Sequence, residues 1–394
     1  MNLPATIKYI LFTIFILIIN LKISYSQTFE NLSFGEAHTL DIITWNIEHF
    51  PKNNNTTIDY LSKIITALKP DVIALQEIED TSSLKVLVSK LSGYKAYFNS
   101  ARFAGLAYLY NTNVVQVNKT YEIYASAQYF SPLPKAPLVI DFIFNNENYL
   151  IINNHLKCCG DGFLDLNNSN DEENRRLNGL NLIKYYIDNN LKDKKVFIVG
   201  DFNDEILDSE ENNVFKSFTN DSENYLISDV NIALKSSANW SYPSWPSHLD
   251  HIIITNELFN LYNQTNTVID AIKIDEHFSG GWYMYDTNVS DHRPVAIKLA
   301  VSPVSLVPKI SKGFKLNQYP NPFDKYINID FSEIENPLEI TIFDAQGREV
   351  FSSNLYKTQN KIAINTEMFD AGLYLLKLTD SNKNVYTSKI AKYN

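Results

Sequence analysis

Short apolar runs separated by polar and turn-forming residues dominate the chain between positions 27 and 300. Runs such as IITW and VFIVG place several large apolar residues in succession, which is typical of strands that are buried on both faces of a sheet. Segments of this kind predict strands at 40–45, 71–76, 105–110, 138–144, 149–153, 196–200, 251–255 and 294–300.

Other segments space their apolar residues at intervals of three and four, as amphipathic helices do. The first of them ends before Pro70, because proline cannot continue a helix. These segments predict helices at 57–68, 82–91 and 172–188. Strands interleaved with helices predict an α/β fold in which helices cover the sheets.

The pattern changes after Ala300. Residues 301–315 contain prolines and show no regular periodicity, so we interpret them as a linker. Beyond them, the segments YINIDF, LEITIFD and GLYLLKLTD alternate apolar and polar residues and are separated by turn sequences. This alternation predicts a small all-β sandwich domain over residues 316–394.

The N-terminal residues 1–26 have the pattern of a secretory signal peptide. Lys8 precedes an apolar run, and Ser24 and Ser26 form a small-residue cleavage site. The apolar run, residues 9–19, is shorter than the roughly 20 residues that span a bilayer. We therefore expect a cleaved signal rather than a membrane anchor, and an exported mature protein without an integral membrane span.

The formal net charge of the 394-residue chain is −11, and the acidic surplus lies between residues 27 and 300. A long-range field of this sign disfavours non-specific binding of polyanions. The only cysteines, Cys158 and Cys159, are adjacent, so they cannot join distant segments. We expect either free thiols or a local bridge.

Carboxylate, amide and imidazole side chains follow or precede most of the predicted strands. The motifs that carry them are TWNIEHF, ALQEI, INNHLK, VGDFND, HLDHIII and SDHRP. Each motif alone has an ordinary explanation, because Asp and Asn commonly cap helices and form turns. Together they provide oxygen ligands for a hard cation and groups that can activate water and stabilise a leaving group.

This series of motifs resembles the endonuclease/exonuclease/phosphatase superfamily from about Asp41 to Ala300. The superfamily includes deoxyribonucleases, abasic-site endonucleases, sphingomyelinases and inositol phosphatases. The resemblance implies a domain over residues 27–300 with a four-layer α/β sandwich, in which helices flank two central sheets. It also implies a divalent cation, Mg²⁺ or else Mn²⁺ or Ca²⁺.

The resemblance implies a set of metal ligands at the matching positions. Glu77 is expected to be the principal ligand, with Glu48 and Asn46 close to it. Asp291 is expected to bind the metal or its water.

The resemblance also implies catalytic roles. Asp201 is expected to orient or deprotonate the attacking water, and Asn203 to position the water or the phosphate. His292 is expected to contact the phosphate while Asp250 orients it. His155 is expected to approach the phosphate or the leaving group from the other side.

One position departs from the pancreatic-type pattern. Those enzymes pair the histidine that matches His155 with a glutamate on a neighbouring strand, whereas this chain offers Ala104 or Gly105 there. A paired general acid at His155 is therefore in question. The remaining histidines, including His248 and His251, are predicted to have structural or rim roles.

Substrate contacts are predicted for Arg176, Arg293 and Tyr110, with Tyr108 as the alternative to Tyr110. Two aromatic segments, 239–248 and 278–286, are expected to flank the site, either by stacking on bases or by packing on each other. The arginines considered for backbone phosphates are Arg102, Arg175, Arg176 and Arg293.

The C-terminal segment resembles the sorting domain of the type IX secretion system of Bacteroidetes. The resemblance rests on YPNPF at 319–323, on GLYLLKL and on the terminal KIAKYN. It implies transport across the outer membrane by the type IX secretion machinery, followed by release or attachment at the cell surface.

Two classes of substrate remain open from the sequence. The first is nucleic acid, with DNA favoured and RNA as a further possibility, cut by a secreted monomeric nuclease. The second is a lipid head group or a small phosphoester, as in sphingomyelinases, which the acidic charge favours. We favour the nuclease.

Overall fold

The computed structural model describes residues 29–98, 105–301, 316–334, 336–356, 359–381 and 385–393. The predicted signal peptide and almost all of the predicted linker lie outside these residues, as do Arg102 and Ala104. The described chain forms two compact units, one on each side of residues 302–315.

The strands of the first unit are, in chain order, β1 (Thr39–Phe50), β2 (Val72–Ile78), β3 (Tyr94–Phe98), β4 (Gly105–Asn111), β5 (Val115–Glu122), β6 (Leu138–Phe144), β7 (Glu147–His155), β8 (Lys195–Asp201), β9 (Tyr225–Ile227), β10 (Asp250–Thr255), β11 (Val268–Ala271) and β12 (Val295–Ala300).

The α-helices of this unit are α1 (Asn54–Leu68), α2 (Thr81–Ser89), α3 (Glu172–Asn190), α4 (Lys216–Thr219), α5 (Val230–Ala233), α6 (Phe259–Tyr262) and α7 (Gly281–Asn288). Short 3₁₀ turns occur at Ala127–Tyr129, Ser237–Asn239, Asn256–Leu258 and Ile274–His277.

The strands build two six-stranded mixed sheets. The first has the order β11-β12-β1-β2-β4-β3, and the second has the order β5-β6-β7-β8-β10-β9. The pairs β1·β2 and β7·β8 are parallel, and the other pairs are antiparallel.

Alternate residues of the central strands enter different cores. Ile42 of β1 packs with Phe197 of β8 between the two sheets. Its neighbour Ile43 faces the opposite side, where it packs with Leu61 of α1. Because both faces of such a strand are buried, its sequence is almost continuously apolar.

Helices cover the outer face of each sheet. The helices α1 and α2 pack on the first sheet, and α3 covers the second sheet through Leu180, Ile183 and neighbouring apolar residues. The order of layers is therefore helix, sheet, sheet, helix. This arrangement confirms the predicted four-layer α/β sandwich.

The C-terminal unit is an all-antiparallel β structure with its own core. A sheet of three strands and a sheet of four contribute buried residues that include Phe323, Ile340 and Leu376. The predicted β sandwich is confirmed. Its strands are β13 (Asn317–Tyr319), β14 (Tyr326–Asp330), β15 (Pro337–Phe343), β16 (Glu349–Asn354), β17 (Lys361–Asn365), β18 (Gly372–Asp380) and β19 (Val385–Lys392).

Within the described part of the chain, every helix is too short or too polar to cross a membrane.

Candidate active site

The ends of six strands bring the predicted site residues to one edge of the sandwich. Parallel neighbours such as β1 and β2, or β7 and β8, end at the same edge of their sheet. The antiparallel strands β10 and β12 begin where these neighbours end, with Asp250 opposite Asp201 and Val295 opposite Thr44. Because the sheets are stacked, both rows of side chains face one cleft.

Local irregularities turn two of the acidic side chains toward this cleft. The pairing of β1 with β2 shifts register between Asn46 and Phe50, and that of β2 with β4 shifts between Leu75 and Ile78. Within these bulges Glu48 has a φ angle of 29° and Glu77 one of 63°. Positive φ is uncommon outside glycine, and bulges re-aim side chains near functional sites.

Amide side chains connect the two sheets beneath the cleft. The Nδ2 group of Asn46 donates to Glu77 Oε1 at 3.1 Å and to Asp201 Oδ2 at 3.0 Å. Deeper in the interface, Gln76 Nε2 donates to Asn153 Oδ1 at 2.7 Å. These bonds fix the spacing between carboxylates that belong to different sheets.

His292 is buried and is held by the carboxylate of Asp250. Its Nδ1 lies 2.7 Å from Asp250 Oδ2, and its Nε2 lies 3.9 Å from Asp201 Oδ2. Burial alone lowers the pKa of an imidazole, but the charges of Asp250 and Asp201 outweigh it and raise the pKa of His292 to about 10. The imidazolium is therefore the stable form at neutral pH.

Asp201 lies between the two site histidines. Its Oδ2 is 3.6 Å from His155 Nε2, and its Oδ1 accepts the N–H of Asn203 at 3.0 Å. Complete burial raises the pKa of Asp201, while the charge of His292 opposes that effect. Asn203 is a further residue with positive φ, at 54°, so this turn is locally strained.

His155 reaches the cleft through its Nε2 atom, and its other ring nitrogen, Nδ1, has no hydrogen-bond partner among the described residues. Its Nε2 lies 4.0 Å from Glu77 Oε1, whereas its Nδ1 is buried. This agrees with the departure noted in the sequence, since Gly105 begins β4 where the family glutamate is expected. Ala104 lies outside the described residues.

Glu48 and Asp291 form an acidic pair beside Glu77. The backbone N–H of Asp291 donates to Glu48 Oε2 at 2.9 Å, and Lys52 Nζ pairs with the same oxygen and with Asp286 Oδ1. Burial, together with the charge of Glu48, raises the pKa of Asp291 to about 7.

The donor set in this pair fits a hard cation. Asp291 Oδ1 is buried and has no hydrogen-bond partner in the described chain. A buried carboxylate oxygen without a partner is costly, and a divalent cation would satisfy it. Glu48, Glu77 and Asn46 line the same cleft, and the amide oxygen of Asn46 accepts the backbone N–H of Glu48 at 3.0 Å.

The cleft has a volume of about 650 Å³ and an aromatic wall. The ring of Tyr242 lies 4.7 Å from the ring of His292, measured between centroids. Trp245 also lines the cleft, and 77% of its surface is exposed. The segment 239–248 therefore flanks the site, as expected.

The other aromatic segment, 278–286, packs on itself, which was one of its two expected roles, and it does not line the cleft. Residues 281–288 form α7, and Tyr285 is buried beneath the site instead of lining it. Its hydroxyl donates to the carbonyl of His292 at 2.5 Å. Trp282 packs on Tyr285 and on the guanidinium of Arg293.

The predicted substrate contacts of Arg176 and Arg293 are also corrected. Both side chains are buried in ion pairs, because Arg176 bonds Asp204 and Glu173 and Arg293 makes a bidentate contact with Asp275 at 2.7 Å. Their remaining donors point to backbone carbonyls. Neither guanidinium is free to receive a phosphate.

Tyr110 does not reach the cleft either. It pairs with Val72 at the start of β2, about five residues or roughly 16 Å from Glu77 along the strand. Tyr108 is buried, and its hydroxyl bonds the carbonyls of Leu138 and Ile151. Both tyrosines are therefore part of the scaffold.

Several residues that shape the site were not anticipated. Ser241 Oγ accepts the N–H of Asp250, and Ser290 Oγ donates to the carbonyl of Asn46 at 2.6 Å. These hydroxyls lock the strand ends in place. Ser290 opens the SDHRP motif, and Ser241 and Tyr242 lie in the aromatic segment 239–248, whereas nothing in the sequence marks Lys52.

The other conspicuous polar residues lie around this cluster. His248 and His251 both hydrogen-bond Asp229 in the interior. Cys158 and Cys159 are free and exposed at the rim of the cleft, with 3.0 Å between their sulfur atoms.

Comparison with solved structures and curated proteins finds distant similarity. The chain is similar to TDP2 from D. rerio in complex with a single-strand DNA product (15% identity, 66% of this chain and 98% of that chain, TM-score 0.48). It is also similar to the human Nocturnin catalytic domain (16%, 66% and 93%, TM-score 0.46). Another similar structure is an endonuclease/exonuclease/phosphatase from Bacteroides vulgatus (13%, 67% and 99%, TM-score 0.46).

One curated relative is an endo-acting ulvan lyase from Formosa agariphila, 30% identical over 139 residues. The matched stretch is 33% of this chain, and it spans about a quarter, 26%, of the length of that relative.

Family models match both units of the chain. Residues 317–392 match the secretion system C-terminal sorting domain, which indicates export by the type IX system to the outer membrane or beyond. Residues 43–292, more than half of the chain, match the Endonuclease/Exonuclease/phosphatase family and include every residue of the cleft described above. The chain therefore belongs to the Endonuclease/Exonuclease/phosphatase family and carries a type IX sorting domain.

Proposed function

We propose that this chain is an exported, divalent-metal-dependent phosphodiesterase, and that its substrate is extracellular DNA. The observation that carries the proposal is the convergence of carboxylates, amides and two histidines from six strand ends on one cleft of about 650 Å³. Such a set provides a cation site, a base for water and a cationic group for the phosphate. Phosphodiester hydrolysis needs all three.

Glu77, Glu48, Asn46 and Asp291 are the residues that would hold the metal. Their oxygen-only donor set suits Mg²⁺, with Mn²⁺ or Ca²⁺ as alternatives. When bound, the cation supplies Lewis-acid stabilisation of the phosphoryl oxygens.

The remaining side chains act on water and phosphate. Asp201, with its raised pKa, accepts the proton of the attacking water, and Asn203 positions that water or the phosphate. The imidazolium of His292 stabilises negative charge that develops on the phosphoryl oxygens. His155 approaches the same region from the second sheet, 3.6 Å from Asp201.

The aromatic wall supports a nucleic-acid substrate. Bases stack on exposed aromatic rings with little sequence preference, and Trp245 presents such a ring at the cleft. The acidic lining of the cleft, in contrast, disfavours binding of a polyanion such as DNA. Arg176 is the only lysine or arginine among the described residues that line the cleft, and it is paired. Bound cations would offset this charge.

A phosphodiesterase acting on lipid head groups is the second candidate. Phe163 and Leu166 are exposed by 68% and 63%, and they lie in the connection that leads from the cleft to α3. Exposed apolar side chains beside a phosphoesterase site favour a lipid surface.

The route to the exterior completes the proposal. We propose that residues 1–26 are a cleaved signal peptide. We also propose that residues 301–315 link a monomeric enzyme domain, residues 27–300, to the sorting domain 316–394, and that the enzyme is released or attached at the cell surface after transport. The match of residues 317–392 to the sorting-domain family supports transport across the outer membrane by the type IX machinery.

The test is an assay of the purified mature protein with and without a chelator. The substrates are supercoiled plasmid, RNA, sphingomyelin vesicles and an aryl phosphate. We expect chelator-sensitive nicking of plasmid. Hydrolysis of sphingomyelin alone would select the second candidate, and no chelator-sensitive hydrolysis of any of them would refute the proposal.

A further inference from the structure

A second group of carboxylates lies in the connection between β7 and α3. Asp161, Asp171 and Glu173 each present an oxygen within 4.8 Å of the other two. Asp171 is the N-cap of α3, and Glu173 lies in its first turn. None of the three takes part in the phosphodiester chemistry proposed above.

Glu173 is the buried member of this group. Its side chain is only 2% exposed, and its Oε1 accepts the N–H of Gly162 at 2.8 Å and pairs with Arg176 at 2.9 Å. Its Oε2 is buried and has no hydrogen-bond partner in the described chain. Leaving such an oxygen unsatisfied is unfavourable, so it points to a ligand.

The backbone is shaped to keep this carboxylate in place. A Cβ atom at Gly160 would lie 2.2 Å from Glu173 Oε1 and 2.8 Å from Oε2, so a larger residue there would displace the carboxylate. Gly160 also has a φ angle of 114°, which favours glycine.

The charge around Glu173 is negative. Arg176 neutralises part of it, but the same guanidinium also pairs with Asp204 at 2.6 Å. One cation is thus shared by two buried acids, while Asp161 and Asp171 add further negative charge. Asp161 is exposed and Asp171 is half-buried, so the group is open to solvent ions on one side.

We propose that Asp161, Asp171 and Glu173 form a calcium-binding site separate from the catalytic cluster. Ca²⁺ takes six to eight oxygen ligands in flexible geometry, which an irregular connection can supply from carboxylates, carbonyls and water. Mg²⁺ requires a stricter octahedron and gives up its water reluctantly. The three residues offer no nitrogen or sulfur donor, which disfavours zinc and copper.

Calcium at this position would link the connection between β7 and α3, which lines the cleft, to the second sheet. Gly160, Asp161, Gly162 and Glu173 all line the cleft, and Arg176 joins Glu173 to Asp204 next to the catalytic turn. Binding therefore stabilises the folded enzyme unit. This inference does not depend on which phosphoester is the substrate.

The test is calorimetric titration of Ca²⁺ into chelator-treated full-length protein that carries Glu77→Ala. This background removes the principal ligand of the proposed catalytic metal. We expect one binding event with a Kd of about 10⁻⁴ to 10⁻³ M, the range of extracellular calcium modules. Ca²⁺ at about 10 mM should also raise the Tm by about 2–5 °C.

Two variants locate the site. Asp161→Asn and Asp171→Asn should each weaken Ca²⁺ binding about tenfold or more, since each removes a charged ligand. Asparagine also caps helices, so Asp171→Asn keeps the start of α3 intact. Glu172→Gln is the matched control. It removes the same charge from the residue between Asp171 and Glu173, but the carboxylate of Glu172 faces Lys157 at 3.9 Å.

Three results would overturn the proposal. The first is the absence of Ca²⁺ binding in the Glu77→Ala background. The second is an unchanged affinity in both asparagine variants. The third is an equal Tm shift with Mg²⁺, which would indicate general screening of acidic charge rather than a calcium site.

Discussion

The imidazole of His292 is fixed from several directions at once. The carboxylate of Asp250 hydrogen-bonds its Nδ1, and Tyr242 packs against its ring. The hydroxyl of Tyr285 donates to the backbone carbonyl of His292. This leaves Nε2 facing Asp201 and the cleft. A histidine held in this way can act on a phosphate without first reorganising, which is how preorganised sites stabilise charge.

Asp250→Asn is predicted to shift the alkaline limb of the pH–rate profile. The pKa of His292 is raised to about 10 in part by the charge of Asp250, so removing that charge lowers the pKa. The active imidazolium is then lost at lower pH, by about one to three pH units. Measured kcat/KM from pH 6 to 11 checks this, and an unmoved alkaline limb would contradict it.

His292→Ala is predicted to reduce kcat by about 10² to 10⁴. Adding Asp250→Asn to that variant should cost little more, because the aspartate acts through the histidine and coupled residues are not additive. A double-mutant cycle of kcat measures the coupling. Losses that multiply independently would show that the two residues do not form a unit and that His292 serves the loop structurally.

At the scale of elements, the central strands were the most predictable part of the fold. All eight predicted strands are present in the structure. The strands that the sequence did not predict, β3, β5, β9 and β11, are the four edges of the two sheets. These edge strands are partly exposed, so they lack the continuous apolar run that marked the buried strands.

The site also has one part that the sequence predicts and one part that it does not. Acids, amides and histidines at strand ends could be named from the sequence, because each follows or precedes a recognisable apolar run. The environments of Arg176 and Arg293 could not, since their partners Asp204 and Asp275 are recruited by tertiary contacts. Sequence position alone does not separate a cation that faces substrate from one that neutralises a buried acid.

Arg176→Met is predicted to destabilise the protein by about 3–5 kcal/mol, because it leaves Glu173 and Asp204 buried without their cation. Burial, which Arg176 only partly offsets, already raises the pKa of Asp204 to about 6. Removing the arginine raises it further, so the folded state gains protons relative to the unfolded state. The loss of folding stability caused by Arg176→Met should therefore be smaller at pH 5 than at pH 8.

Urea unfolding at both pH values measures this difference. Arg175→Met is the matched control, because Arg175 is half-buried on the same helix and its side chain bonds the carbonyl of Ser131 instead of a buried acid. Equal stability of the two variants would show that the buried ion pairs contribute nothing specific.

At the scale of the whole molecule, the two units have separate cores. Deleting residues 314–394 is therefore predicted to leave the specific activity of the purified enzyme unchanged and to abolish its delivery to the cell surface. Activity of the purified truncation and fractionation of cells provide the two readouts. An inactive but folded truncation would mean that the β domain contributes to the site.

The most direct test of the account is Mg²⁺-dependent hydrolysis by Glu77→Ala, with Glu79→Ala as the control. Glu77 faces the cleft, whereas Glu79 pairs with His49, which is largely exposed. We expect activity at the background level for Glu77→Ala, near-normal activity for Glu79→Ala, and little change in the stability of either. Glu77→Ala that retains activity at saturating Mg²⁺ would contradict this expectation.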